Sequence, residues 1–140
     1  ILKFAEAGPS LRGPFTNGTK PTLTRSATVG TPMPIDIWAD DDALFSSGGN
    51  GPMSESRPII VLDVTKYRGP GTVTVSQNPV KFAALKGGKP LQPYSGKGST
   101  TVSFSDPGDY LLHINGGDYS GNGGGGSSTC IRSSSVISVA

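Results

Sequence analysis

The single histidine, His113, and the single cysteine, Cys130, limit the chemistry open to this chain of 140 residues. A general base is most often a histidine, but His113 lies between Leu112 and Ile114 in an alternating stretch, on the face opposite Tyr110. That position favours a solvent-facing or inter-subunit side chain over a catalytic one. A Gly-x-Ser-x-Gly nucleophile elbow is missing, and one histidine with one cysteine disfavours zinc. We therefore predict that the protein is not an enzyme.

A run of three carboxylates, Asp40, Asp41 and Asp42, could bind calcium together with Asp118 at one end of the fold. Calcium prefers such oxygen ligands. The alternative is a solvated loop start, because successive residues of an extended chain point in different directions and no Asp-x-Asp-x-Asp-Gly spacing follows. Apart from calcium, the sequence predicts no cofactor.

Trp38 alternates with the apolar Ile37 and Ala39 and lies beside carboxylates. On an outward face, such a ring stacks on a sugar or covers a neighbouring strand. Together with the long loop over residues 44–58, it supports one hypothesis for function. In that hypothesis the protein is a monomeric extracellular binding or adhesion module for polysaccharide or protein, with calcium as a stabilising ion.

Composition indicates one all-β domain. The 21 glycines and 12 prolines disfavour long helices, and no long window shows helical spacing of apolar side chains.

The net charge of +2 comes from scattered lysines and arginines, which predicts no nucleic-acid partner. No apolar run approaches the roughly 20 residues of a membrane span. The first residue is Ile1 rather than methionine, which we interpret as a processed, exported chain.

The stretch from Ser105 to Asn115 is predicted to lie at the centre of the fold. A Pro-Gly turn precedes Tyr110, Leu112 and Ile114, which repeat with the period of a half-buried strand. A tyrosine at this place is typical of the tyrosine corner of an immunoglobulin-like sandwich, in which the hydroxyl bonds to nearby backbone. We expect an antiparallel sandwich of seven to nine strands. Its predicted core is Ile35, Ile37, Val61, Val73, Val102, Tyr110, Leu112 and Ile114.

Two further expectations concern strand order. Residues 59–67 are the most apolar run and should form a central strand. Residues 68–71 form a turn that should lead directly into a hairpin partner at residues 72–75. Residues 78–98 read as a loop or a ragged edge strand, and a final hairpin should join the strand after residue 108 to the last strand of the chain.

Four segments in order resemble an immunoglobulin-like, polycystic-kidney-disease-like domain of uncharacterised exported bacterial proteins. They are LTRSATVGTP (residues 23–32), KYRGPGTVT (66–74), FSDPGDY (104–110) and DYSGNGGGG (118–126). The resemblance covers residues 9–139. It implies a sandwich fold and export to the cell surface, and it implies no activity.

Residues 1–7 form an apolar arm outside that resemblance, with Leu2 and Phe4 on one side of an extended segment and no adjacent strand to pair with. Turn-forming glycine and proline residues after the arm separate it from a sandwich domain at residues 8–140. It either folds back as the first edge strand of its own sandwich or reaches another subunit. From the second arrangement we predict a structural subunit of an extracellular filament, a homopolymer built by donor-strand exchange. Ile1, Leu2, Phe4 and Cys130 are the predicted interface residues; a lone cysteine is buried, free or paired with another chain.

Overall fold

The computed structural model describes residues 1–11, 21–41, 60–87, 92–118 and 130–140, and regular structure in these ranges consists of strands. The strands are β1 (Leu2–Lys3), β2 (Ser10–Leu11), β3 (Pro21–Ala27), β4 (Met33–Asp41), β5 (Ile60–Arg68), β6 (Val73–Val75), β7 (Phe82–Lys86), β8 (Tyr94–Phe104), β9 (Gly108–Asp118) and β10 (Cys130–Val139). The described ranges thus contain ten strands, one more than the upper limit expected, because β1 and β2 are two residues each. None of the described ranges contains a helix that is long and apolar enough to cross a membrane.

The strands form two sheets that share one core, which confirms the all-β sandwich. The six-stranded sheet has the order β2-β1-β4-β8-β6, with β7 also pairing with β8, and the four-stranded sheet has the order β3-β10-β9-β5. Along β4 and β8 buried residues alternate with more exposed ones, as a period of two requires. The buried core comprises Leu2, Phe4, Leu23, Met33, Ile35, Ile37, Ala39, Leu62, Val64, Val80, Val102, Phe104, Tyr110, Leu112, Ile114, Ile137 and Val139.

One pairing departs from the antiparallel sandwich that the sequence predicts. Strand β3 runs parallel to β10, with Leu23 opposite Ser135 and Ala27 opposite Val139. A parallel pair needs a long connection, and the whole chain between β3 and β10 supplies it. The four-stranded sheet is therefore mixed, with β3 as an edge strand, whereas the described pairs of the six-stranded sheet are antiparallel.

The prediction of a central strand at residues 59–67 is wrong. Strand β5 is the last strand of the four-stranded sheet, and among the described strands it pairs with β9 alone. Its buried residues are Leu62 and Val64, whereas Val61, which the sequence places in the core, is half-buried on the other face. The run is apolar on both faces, so composition alone does not tell which face meets the core.

The predicted hairpin between β5 and β6 is also wrong. Strand β6 pairs with β8 in the opposite sheet, with Val73 opposite Phe104 and Val75 opposite Val102. The turn at residues 69–72 therefore carries the chain from one sheet to the other. Val73, predicted in the core, is half-buried and packs against it.

The segment between β6 and β7 covers the free edge of β5. The Asn78 side chain accepts a hydrogen bond from the Val64 N–H at 3.0 Å and donates one to the Val64 carbonyl at 2.8 Å. The Val80 N–H donates to the Leu62 carbonyl at 2.8 Å. An edge strand otherwise exposes these groups to other chains. For residues 78–98 the sequence left a loop or a ragged edge strand open; the described part holds this cover and β7, which pairs with β8 with a register shift between Ala84 and Lys86, and β8 begins at Tyr94.

Tyr110 has the environment that its position predicts. Its ring is 1% exposed and packs on Phe104, with ring centroids 4.7 Å apart. Its hydroxyl donates to the Asp106 carbonyl at 2.8 Å and accepts from the Gly71 N–H at 3.0 Å. Gly69, at a φ of 144°, lies against the ring, and a Cβ there would be 2.3 Å from the tyrosine Cδ1. The Tyr110 hydroxyl thereby fixes the crossing between the sheets.

Candidate functional site

The arm at residues 1–7 pairs within its own chain. Leu2 lies opposite Ala39 and Lys3 opposite Trp38, so β1 extends the six-stranded sheet at β4. The Ile1 ammonium donates to the Asp40 carbonyl at 2.7 Å, and the Asp40 N–H donates to the Ile1 carbonyl at 2.9 Å. Within the single chain the arm therefore folds back, which is the first of the two arrangements that the sequence leaves open.

The expectation that β1 has no adjacent partner is wrong. Strand β2 pairs with it on the side away from β4, with Leu2 opposite Leu11 and Lys3 opposite Ser10. The turn between them is closed by a hydrogen bond from the Gly8 N–H to the Ala5 carbonyl at 3.0 Å. Strands β1 and β2 thus form one hairpin, which we call the arm hairpin (residues 1–11).

The predicted interface side chains Leu2 and Phe4 fill a gap between the two sheets. Leu2 is 2% exposed and Phe4 is 8% exposed. Leu2 reaches across the core to β9, where Gly116 leaves room for it, since a Cβ at Gly116 would be 2.8 Å from the leucine Cδ1. We call this gap, bounded by the edge of β4 and by Gly116, the arm groove. Ile1, the third arm residue predicted at the interface, is 38% exposed.

Cys130, the last predicted interface residue, lies on the backbone opposite Gly117, next to the glycine of the arm groove. The backbone therefore brings Cys130 to the same end of the sandwich as the arm. Whether it links two chains stays a prediction.

The carboxylate of Asp40, a predicted calcium ligand, contacts protein groups instead. Its Oδ2 lies 3.9 Å from the Lys3 Nζ, and its Oδ1 accepts a hydrogen bond from the Ser95 hydroxyl. These contacts tie the arm to β8 through β4. Both charged side chains are about a third exposed, so the ion pair contributes at most about 1 kcal/mol.

The other predicted calcium ligands do not form a described site with Asp40. Asp41 follows it in β4 opposite Tyr94, and Asp118 ends β9 opposite Ile60 in the other sheet. Asp42 lies outside the described residues. Across the ranges that the structure describes, no three His, Cys, Asp or Glu side chains are grouped as metal ligands. Calcium binding stays a prediction.

Trp38 is half-buried on the outer face of the six-stranded sheet, and a charged side chain covers its ring. The Lys97 Nζ lies 4.7 Å from the ring centroid and 3.6 Å from the Asp36 carboxylate. A cation over an aromatic ring is attracted to its π face. Sugar stacking on Trp38 would have to displace this lysine from the face that it covers.

An aromatic pair that the sequence does not reveal lies on the outer face of the four-stranded sheet. The rings of Tyr67 and His113 are stacked, with centroids 4.3 Å apart and an interplanar angle of 16°. Tyr67 is 60% exposed. A register shift between Lys66 and Arg68 places Tyr67 in a β-bulge, and a bulge re-aims the side chain that it contains. Simple alternation along β5 carries no signal of this shift.

No family model, no curated protein and no solved structure matches this chain. The resemblance to immunoglobulin-like, polycystic-kidney-disease-like domains therefore stays a prediction. The class of protein that the structure defines is an all-β sandwich with an N-terminal strand hairpin seated in its core.

Proposed function

We propose that the protein is a structural subunit of an extracellular filament, in which the arm hairpin of each subunit fills the arm groove of the next. The sandwich is of the immunoglobulin-like kind, and the chain is exported to the cell surface. The observation that carries this proposal is the arm groove itself. Leu2 is buried there between β4, where it lies opposite Ala39, and Gly116 of β9, and Phe4 is buried in the same core.

Contacts made by the arm within one chain are available unchanged between two chains. An exchanged hairpin would bury the same side chains and pair with the same edge of β4, so the exchange sacrifices no contact. The hairpin moves as a unit because β1 and β2 are paired. It is followed by residues 12–20, which include Gly13, Pro14 and Gly18. Any stretch of nine residues spans at most roughly 30 Å, which sets the longest reach between the arm hairpin and β3.

An empty arm groove is unstable, which drives its occupation. Withdrawal of Leu2 and Phe4 removes about 1.5–3 kcal/mol of burial for each side chain and exposes the edge of β4. Every groove must therefore hold an arm. A tethered arm has an effective concentration on the order of millimolar, so exchange is favoured where subunits are crowded. The contact is head-to-tail and propagates as a filament unless it closes into a ring.

A pair of complementary variants tests the exchange. Leu2→Asp gives a chain with an intact groove and a defective arm, because a carboxylate is costly to bury. Gly116→Val gives a chain with an intact arm and a blocked groove, because a Cβ there already meets Leu2. We expect each variant alone to stay monomeric in sedimentation velocity at millimolar concentration. Mixed, they should form a one-to-one complex, since one good arm meets one good groove.

The control is Gly117→Val, which adds the same side chain one residue further along β9, on the opposite face. Because it leaves both the arm and the groove intact, Gly117→Val alone should form filaments as the unmodified chain does, whereas Gly116→Val should not. For the unmodified chain, electron microscopy at millimolar concentration should show filaments, and Leu2→Asp should abolish them. A mixture that stays monomeric, with no filaments of the unmodified chain, would show that the arm serves its own chain alone.

A further inference from the structure

The outer face of β5 and β9 carries an aromatic stack in which Tyr67 is exposed and His113 is half-buried. Tyr67 and His113 present stacked rings, 4.3 Å apart at their centroids. Directly beneath them, on the inner face, Val64 and Leu112 are 1% and 0% exposed. A side chain on a packed strand loses little further freedom when a ligand binds, and an exposed tyrosine offers a large contact area at low entropic cost.

Polar groups flank these rings along the same face. The Thr65 hydroxyl lies beside His113 and donates to its carbonyl at 3.4 Å. One step further along the strands, Asp63 is paired with Asn115, and both are half-buried. The surface therefore combines an aromatic stack with hydroxyl, carboxylate and amide groups in a row. Aromatic faces bordered by a few placed polar groups are the pattern of a small-ligand site.

The size of the surface indicates what kind of partner fits. One exposed tyrosine with its stacked neighbour provides on the order of 150–250 Å², whereas each partner of a stable protein interface buries about 800 Å². The other large exposed apolar side chains of the described residues, Ile1, Val29 and Leu85, belong to other segments and do not enlarge it. The surface thus fits one or two sugar rings and is too small for a protein partner.

We propose that Tyr67 and His113 form a binding platform for a neutral polysaccharide of β-linked pyranose units. A C–H face of such a ring would lie on the face of Tyr67 that His113 does not cover, and its equatorial hydroxyls would meet Asp63 and Asn115. The platform belongs to the four-stranded sheet, whereas the arm hairpin extends the six-stranded sheet. The proposal therefore stands or falls independently of the filament.

Calorimetric titration of the full chain with cellohexaose tests the platform. Binding is expected, and Tyr67→Ala should weaken it at least tenfold, because stacking of a flat ring on an aromatic side chain is lost. His113→Phe preserves a stackable ring and should retain binding, whereas His113→Ala should weaken it. Leu85→Ala is the matched control, since Leu85 on β7 is equally exposed at 64% and should leave the affinity unchanged.

Two outcomes would overturn the proposal. One is the lack of any heat of binding with cellohexaose at millimolar concentration. The other is binding that Tyr67→Ala leaves intact while its far-ultraviolet circular dichroism shows a folded chain. If Tyr67→Ala instead sediments differently from the unmodified chain at the same concentration, the surface is a contact between copies of the chain. The saccharide assignment is then wrong.

Discussion

At the scale of single residues, Ser135 is an anomaly in an otherwise well-satisfied core. It lies on the inner face of β10 between Leu112 and Leu23, and it is 0% exposed. Its hydroxyl is the one buried side-chain polar atom of the described residues without a hydrogen-bond partner. An unpaired buried hydroxyl costs about 1–3 kcal/mol. The site is close-packed, so only a smaller side chain can remove that cost without strain.

We expect Ser135→Ala to raise the free energy of unfolding by about 1 kcal/mol, because the unpaired hydroxyl is removed and little volume is lost. Chemical denaturation with an unchanged m value is the measurement. Ser138→Ala is the control on the same strand, since Ser138 is exposed and donates to the Asp109 carboxylate at 2.8 Å. It should be neutral or slightly destabilising. Destabilisation by Ser135→Ala would mean that the hydroxyl has a partner.

The burial of Tyr94 makes the free energy of unfolding decrease at alkaline pH. It is 7% exposed, and burial raises the pKa of its hydroxyl above the ordinary value of 10.0. Above pH 10 the unfolded chain releases this proton while the folded chain retains it. The free energy of unfolding therefore keeps the contribution of Tyr94 below pH 10 and loses it as pH rises towards the folded pKa.

The variant Tyr94→Phe has no hydroxyl to ionise and should lose stability less steeply above pH 10. Denaturation midpoints between pH 8 and pH 11 compare the two slopes. Any part of the decline that does not come from Tyr94 is common to both proteins. Equal slopes would show that Tyr94 ionises as readily in the folded chain as in the unfolded one.

At the scale of elements, Asn78 acts as a substitute strand for β5. Its amide makes both hydrogen bonds to Val64 that a neighbouring strand would make. We expect Asn78→Ala to lower the free energy of unfolding by about 1–3 kcal/mol, because two part-buried backbone groups lose their partners. It should also promote aggregation, because the edge of β5 becomes available to other chains. Thermal denaturation and light scattering are the measurements.

The control for Asn78→Ala is Gln77→Ala. The Gln77 side chain accepts only the exposed Lys81 N–H at 3.2 Å, so its loss should change stability by less than about 0.5 kcal/mol. A similar effect of both substitutions would show that the segment as a whole, rather than its amide bridge, protects β5.

The elements also show how far the sequence predicts the fold. Alternation identifies the inner face of β4, where Ile35 and Ile37 are buried, and the Pro-Gly turn before Tyr110 predicts a buried ring whose hydroxyl bonds to nearby backbone, as observed. The glycines and proline at residues 69–71 predict that the chain reverses direction. They do not indicate which sheet the next strand joins. The pairing of β6 with β8 depends on long-range packing, which one segment does not encode.

The candidate sites likewise depend on contacts between distant parts of the sequence. The apolar alternation of Leu2 and Phe4 reveals an arm that must be buried, but the partner that buries it depends on Gly116, more than a hundred residues away. The pairing of Tyr67 with His113 requires a bulge in β5. Neither relation is local, so the sequence reveals the residues and the structure brings them together.

At the scale of the whole molecule, the two proposals use separate sheets. A filament joined through the arm groove would leave the Tyr67–His113 platform of every subunit on the four-stranded sheet. Weak individual sugar contacts then gain from repetition, because linked sites act at an increased effective concentration. A subunit with modest affinity for one oligosaccharide would form an assembly that adheres firmly to a long polysaccharide.

The unequal anchoring of the first and last strands gives such an assembly a mechanical polarity. Strand β10 is ten residues long and pairs along its length with β9 and, from Ser134 to Val139, also with β3, whereas β1 is two residues long. Tension along a chain of these sandwiches would reach both strands at once. The short arm would give way first and the sandwich would stay folded. A stretched fibre could thus lengthen at its joints, dissipate the load and close again when the pull ends.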